Sequence, residues 1–123
     1  MNEYVEKEGK LVFRISGLNN PVQIKVDCQY GTLSKVSFFH NGLETVGCGE
    51  EDTIGAGQNL KHHTIEFNGA SGNPDGGKIK IIHTIYETGG NSLVYTFPDD
   101  YTGKPPYDLN DQEPSYVFTV NFI

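Results

Sequence analysis

The sequence predicts an all-β domain: a single antiparallel β-sandwich of about eight strands in jelly-roll or immunoglobulin-like topology, with a small barrel as the alternative. Three observations carry this. Apolar residues alternate with polar ones at period two over eight short runs. Gly, Pro and Asn collect between the runs, and no window holds a sustained helical stripe. Strands that are apolar on one side must bury those sides together, and two packed sheets or a closed barrel are the stable ways to do so. At 123 residues, the chain has the length of one domain, residues 1–123, with a polar stretch at 1–9.

The runs follow one another along the chain. Leu11, Phe13 and Ile15 alternate with Val12, Arg14 and Ser16. Val22, Ile24 and Val26 alternate with Gln23, Lys25 and Asp27 after the Asn19-Asn20-Pro21 breaker. Val36 and Phe38 lead into His40-Asn41-Gly42, whose Asn-Gly pair suits a tight hairpin because both residues tolerate positive φ. Leu43 to Gly47 is the returning strand. Glu50 to Leu60 holds the best place for one helical turn, with Glu50-Glu51-Asp52 as an exposed acidic turn or its start. Ile65 and Phe67 form the next strand. Ile79, Ile81 and Ile85 share a parity with His83, and Leu93, Tyr95 and Phe97 form the seventh run. The last run is Tyr116, Phe118, Val120 and Phe122. It is apolar on both parities at Val117 and Ile123, which predicts a central strand covered on both faces.

Composition narrows the function classes. The net charge of -7, from 16 acidic and 9 basic residues, disfavours a binder of the nucleic-acid phosphate backbone. No apolar run reaches the roughly 18 residues of a membrane-crossing helix, and the polar N-terminal residues are unlike a secretory leader, so no membrane insertion and a cytoplasmic location are expected. Cys28 and Cys48 lack the paired short spacings of a zinc site. In a cytoplasmic chain two reduced structural thiols are favoured, with a disulfide as the alternative.

The candidate site is the acidic stretch 98–114, the longest without a strand pattern. It carries five carboxylates and two tyrosines. Asp99, Asp100, Tyr101, Tyr107, Asp108 and Asp111 are the expected contact residues for a protein partner, preferably a basic one. The same stretch offers Asp99, Asp100, Asp108, Asn110 and Asp111 as oxygen ligands for calcium. Asp108-Leu109-Asn110-Asp111-Gln112-Glu113-Pro114-Ser115-Tyr116 is similar to the calcium-binding linker motif of cadherin repeats, departing from it at Gln112 and lacking a companion acidic motif.

Other patterns weigh less. His40, His63 and His83 share inward parities on separate strands and are a zinc candidate only if they converge; satisfied core or strand-end imidazoles are the plainer reading. Gly72 to Lys78 has the glycine and lysine spacing of a P-loop, but Ile79 stands where Ser or Thr is needed and a strand follows, so nucleotide binding is not expected. The first expectation is therefore a non-enzymatic binding module with no required cofactor. A carbohydrate-binding module or lectin, calcium-dependent or not, is the second. A metal-dependent enzyme using the histidines is the third, and a domain that assembles as a homo-oligomer is the fourth.

Overall fold

A computed structural model describes residues 9–40, 42–74, 78–97, 107–108 and 115–123. In chain order the elements are β1 (Gly9–Phe13), β2 (Pro21–Gln29), β3 (Leu33–Phe39), β4 (Leu43–Gly47), β5 (Glu51–Ala56), the single turn α1 (Gly57–Leu60), β6 (Thr64–Gly72), β7 (Lys78–Glu87), β8 (Ser92–Phe97), β9 (Tyr107–Asp108) and β10 (Ser115–Phe122). One sheet has the order β1-β10-β6-β3-β4. The other has the order β5-β2-β7-β8, and β9 pairs with the first residues of β7. The two sheets share no ladder among the described residues, so the fold is a sandwich and not the alternative barrel.

Alternation places the core. Val22, Ile24 and Val26 on β2 lie beside Ile79, Ile81 and Ile85 on β7, and from the opposite sheet Val36, Phe38, Ile65, Phe67, Phe118, Val120 and Phe122 join them, all buried. Aromatic rings join the sheets through their centre. Phe67 stacks on Phe118 at 4.9 Å, Phe118 on Tyr95 at 4.4 Å, and Phe97 on Tyr116 at 4.2 Å. Such offset ring pairs add roughly 1 kcal/mol each to the area they bury.

The structure departs from the sequence reading at four places. First, β1 runs parallel to β10, so one pair in an otherwise antiparallel sandwich is parallel. Second, β10 is central between β1 and β6, but only one of its faces is fully covered; Val117 and Ile123 remain half-exposed. Third, Glu51 and Asp52 begin a strand, β5, which pairs with β2 across a register shift at Val22/Gln23. Glu50 instead closes the preceding turn, its Oε1 accepting the Gly47 N–H at 2.7 Å. The single helical turn follows β5.

Fourth, the two cysteines are bridged. Cys28 and Cys48 form a disulfide with Cα atoms 5.5 Å apart, correcting the expectation of reduced thiols. Cys28 shares the inward parity of Val22, Ile24 and Val26, and Cys48 lies two residues beyond inward-facing Val46, so both point between the sheets at one end. The bridge spans a sequence separation of 20. Loop-closure entropy for that length gives about 3 kcal/mol. Urea unfolding of the Cys28→Ala/Cys48→Ala variant should show a loss of that size; an unchanged midpoint would mean the bridge adds nothing.

Candidate functional site

The strand registers sort the connections into two ends. β2 ends opposite Lys80, β3 begins opposite Gly72, β4 ends opposite Lys35, and β8 ends opposite Ile81. The turns at 30–32 and 48–50 and the connection after Gly72 therefore share one end with the disulfide. Phe97 and Ser115, which flank residues 98–114, stand at this end as well, Ser115 opposite Ala70. The predicted contact and calcium residues Asp99, Asp100, Tyr101, Asn110 and Asp111 lie outside the described residues. Tyr107 and Asp108 are described only as backbone paired to β7.

What the described residues place here is an open cleft of about 840 Å³. Residues of β3 and β6, among them Leu33, Lys35 and Ala70, line it, with Cys48 and Glu50 from one turn and Asn73 and Pro74 from another. At the same end Tyr30, 52% exposed, has φ at +60°. A left-handed conformation in a bulky residue costs on the order of 1 kcal/mol and persists only where neighbours fix it. Here they do. The Asn73 side-chain amide donates to Tyr30 O at 2.8 Å and to Lys78 O at 2.9 Å. Thr32 donates its N–H and its hydroxyl to Gln29 O, and its Oγ1 accepts the Lys80 N–H at 3.2 Å. The turn thus carries an exposed tyrosine whose backbone is bonded to Asn73, a residue that lines the cleft.

Two interior titratable groups, His83 and Tyr116, are hydrogen-bonded to each other. His83 is fully buried, with Nδ1 2.8 Å from Tyr95 O and Nε2 2.6 Å from the Tyr116 hydroxyl. The carbonyl can only accept, so Nδ1 carries the proton and Nε2 accepts from Tyr116. Burial pushes the His83 pKa down to about 4, against the opposing hydrogen bond to Tyr95, so the ring is neutral at pH 7. Burial also pushes the Tyr116 hydroxyl well above its ordinary value. With both nitrogens occupied, His83 has no lone pair for a metal, and it does not join His40 and His63. Those two approach each other at the far end of the sandwich instead, ring centroids 6.0 Å apart. Among the described residues no group of three or more His, Cys, Asp or Glu is placed to hold a metal ion.

Two features at other surfaces escaped the sequence reading. On the outer face of the second sheet, the Tyr86 hydroxyl lies 2.5 Å from Glu51 Oε1 and 2.7 Å from Gln23 Oε1. The hydrogen bond to Glu51 raises the Tyr86 pKa. At the far end Glu87, 3% exposed, accepts hydrogen bonds from the Ser16 N–H and hydroxyl, the Gly17 N–H, the Asn20 amide and the Asn91 N–H. Its only sequence signal is parity: Glu87 continues the inward series of Ile79, Ile81, His83 and Ile85. No described helix is long and apolar enough to cross a membrane. No protein family, curated protein or solved structure matches the chain.

Proposed function

We propose that this is a non-enzymatic binding module whose cleft-bearing end recognises a protein partner. The observation that carries the reading is Tyr30, exposed on a turn at the cleft end and bonded through its backbone to Asn73 of the cleft, whose lining also includes Leu33, 59% exposed. Interface anchors are typically rigid aromatics next to a pocket, because little conformational entropy is lost on binding. The engagement of His83, Glu87 and Tyr116 in internal bonds is consistent with binding in place of catalysis.

Charge supports a basic partner. Outside residues 1–8, 75–77 and 98–114 the chain holds seven Lys or Arg and seven Asp or Glu, so the net -7 resides in those segments. Phe97 and Ser115, which flank 98–114, stand at the cleft end, and the carboxylates of that segment would favour a basic partner. Calcium in that segment remains the alternative use of the same carboxylates. The Cys28–Cys48 bridge favours an oxidising compartment over the cytoplasm expected from the N-terminal residues.

A peptide library panned against the protein tests the reading. Tyr30→Gly removes the side chain while relieving the backbone, so it should fold at least as well as the parent. Selected peptides are expected to lose roughly tenfold or more in affinity for Tyr30→Gly and to keep it for Val94→Ser on the second sheet. Equal binding to both variants would refute the assignment.

A second reading, carbohydrate recognition, rests on a different surface. Tyr86, Gln23 and Glu51 are linked by hydrogen bonds on an open sheet face, an arrangement that can meet sugar hydroxyls. Glycan-array binding abolished by Tyr86→Ala but not by Tyr30→Gly would select it. Self-assembly has its own candidate surface in the cross-strand pair Phe39 and Leu43, 70% and 69% exposed, the latter on edge strand β4.

A further inference from the structure

The far end of the sandwich brings together two imidazoles that the fold leaves open to ligands. His40 follows β3, and its ring packs over Gly55 of β5, where a Cβ would sit 3.5 Å from His40 Cδ2. His63 precedes β6 and is fixed through its backbone: its N–H donates to Leu60 O at 2.9 Å and its carbonyl accepts the Phe122 N–H at 2.9 Å. The two rings meet edge to face with centroids 6.0 Å apart. Unlike His83, neither ring is hydrogen-bonded to any described residue. Each can therefore offer a nitrogen lone pair. Neighbouring His62 is exposed and held at φ +72°, its N–H donated to Phe122 O at 2.7 Å.

We propose that His40 and His63 form a two-imidazole site for a borderline divalent cation of the zinc type, at the opposite end from the cleft. Two imidazoles on one tetrahedral zinc, at a zinc–nitrogen distance of about 2.0–2.1 Å, have centroids about 5 Å apart. Binding would bring the rings about 1 Å closer and turn one nitrogen of each toward the ion, a change within reach of side-chain rotation in half-buried His40 and exposed His63. No third His, Cys, Asp or Glu stands in position among the described residues, so the two imidazoles define the site. Imidazole ligation selects zinc, nickel or copper over calcium and magnesium. Both thiols are engaged in the disulfide and do not compete.

The test is calorimetric titration of tag-free, disulfide-intact protein with zinc chloride. One equivalent of zinc should bind. Affinity should fall roughly tenfold or more in both His40→Gln and His63→Gln, with each variant keeping the parent's melting temperature in chelator. His62→Gln should bind as the parent does. Absence of binding at millimolar zinc, or binding that survives both substitutions, as it would if carboxylates elsewhere held the ion, overturns the site. So does loss in His62→Gln with His40→Gln unaffected.

Discussion

Gly69→Ala is expected to destabilise the protein by about 4 kcal/mol, the sum of an overpacked core and a broken buried hydrogen bond. Gly69 lies directly opposite Tyr116 in the β6–β10 register, and a Cβ at position 69 would overlap the Tyr116 ring. The ring cannot move aside cheaply. It stacks on Phe97 at 4.2 Å with the planes only 10° apart, and its hydroxyl is donated to His83 Nε2 at 2.6 Å. Displacing it leaves a fully buried imidazole nitrogen without its donor. Thermal unfolding should show the loss as a fall of roughly 15 °C for a domain of this size. The cause is separable from glycine's backbone freedom. In a Tyr116→Leu background the same substitution should cost far less, because the ring it strikes is gone. Equal costs in the two backgrounds would show that the ring contact is not what Gly69 provides.

This pairing illustrates which parts of the fold can be read from sequence. Period two placed Tyr116, Phe118, Val120 and Phe122 on one face and His83 among the isoleucines of β7, because inward residues on regular strands must be apolar or satisfied. Which residues meet across strands depends on register, and that is a tertiary property: nothing local in Gly69-Ala70 announces a tyrosine overhead. The strand β5 escaped for a related reason. Glu51, Asp52, Thr53, Gly55 and Ala56 bury little, and only Ile54 reaches the core, so the element is held by its ladder to β2 more than by its own pattern. The disulfide was legible in principle, since Cys28 and Cys48 both continue inward parities at strand ends. The N-terminal residues argued for a reducing compartment and outweighed that signal. The site reading fell on 98–114, whereas Tyr30 owes its place to a backbone angle that sequence does not display.

Glu87 supplies the other large effect, and it carries a pH dependence. Burial alone would raise its pKa. The Ser16 backbone, the Asn20 amide, the Asn91 backbone and the Ser16 hydroxyl outweigh burial and hold the pKa below the ordinary carboxylate value. These bonds tie the connection between β1 and β2 to the hairpin between β7 and β8, and Asn91 completes the tie by donating to Arg14 O at 2.8 Å. Glu87→Ala leaves five donors without their acceptor; exposed Ser16 and Asn91 can turn to water, so the cost should be about 2 kcal/mol, and Glu87→Gln, which keeps one acceptor oxygen, should cost about half as much. The sign of the pH effect follows from linkage. A carboxylate whose pKa is depressed on folding stabilises the protein above its unfolded pKa and loses that contribution as pH falls through the folded value. His83, whose pKa drops from 6.5 to about 4 on burial, acts in the same direction, because the unfolded chain takes up its proton first. Stability should therefore decline from about pH 6.5 downward in the parent, with a second loss below the ordinary carboxylate range. In Glu87→Gln the first decline should persist and the second should shrink. Hydrogen exchange gives the local counterpart: the amides of Ser16, Gly17 and Asn91 should lose protection in Glu87→Gln while those of β7 keep theirs. Unaltered protection at Ser16 and Gly17 would mean that the carboxylate does not hold this end of the sandwich together.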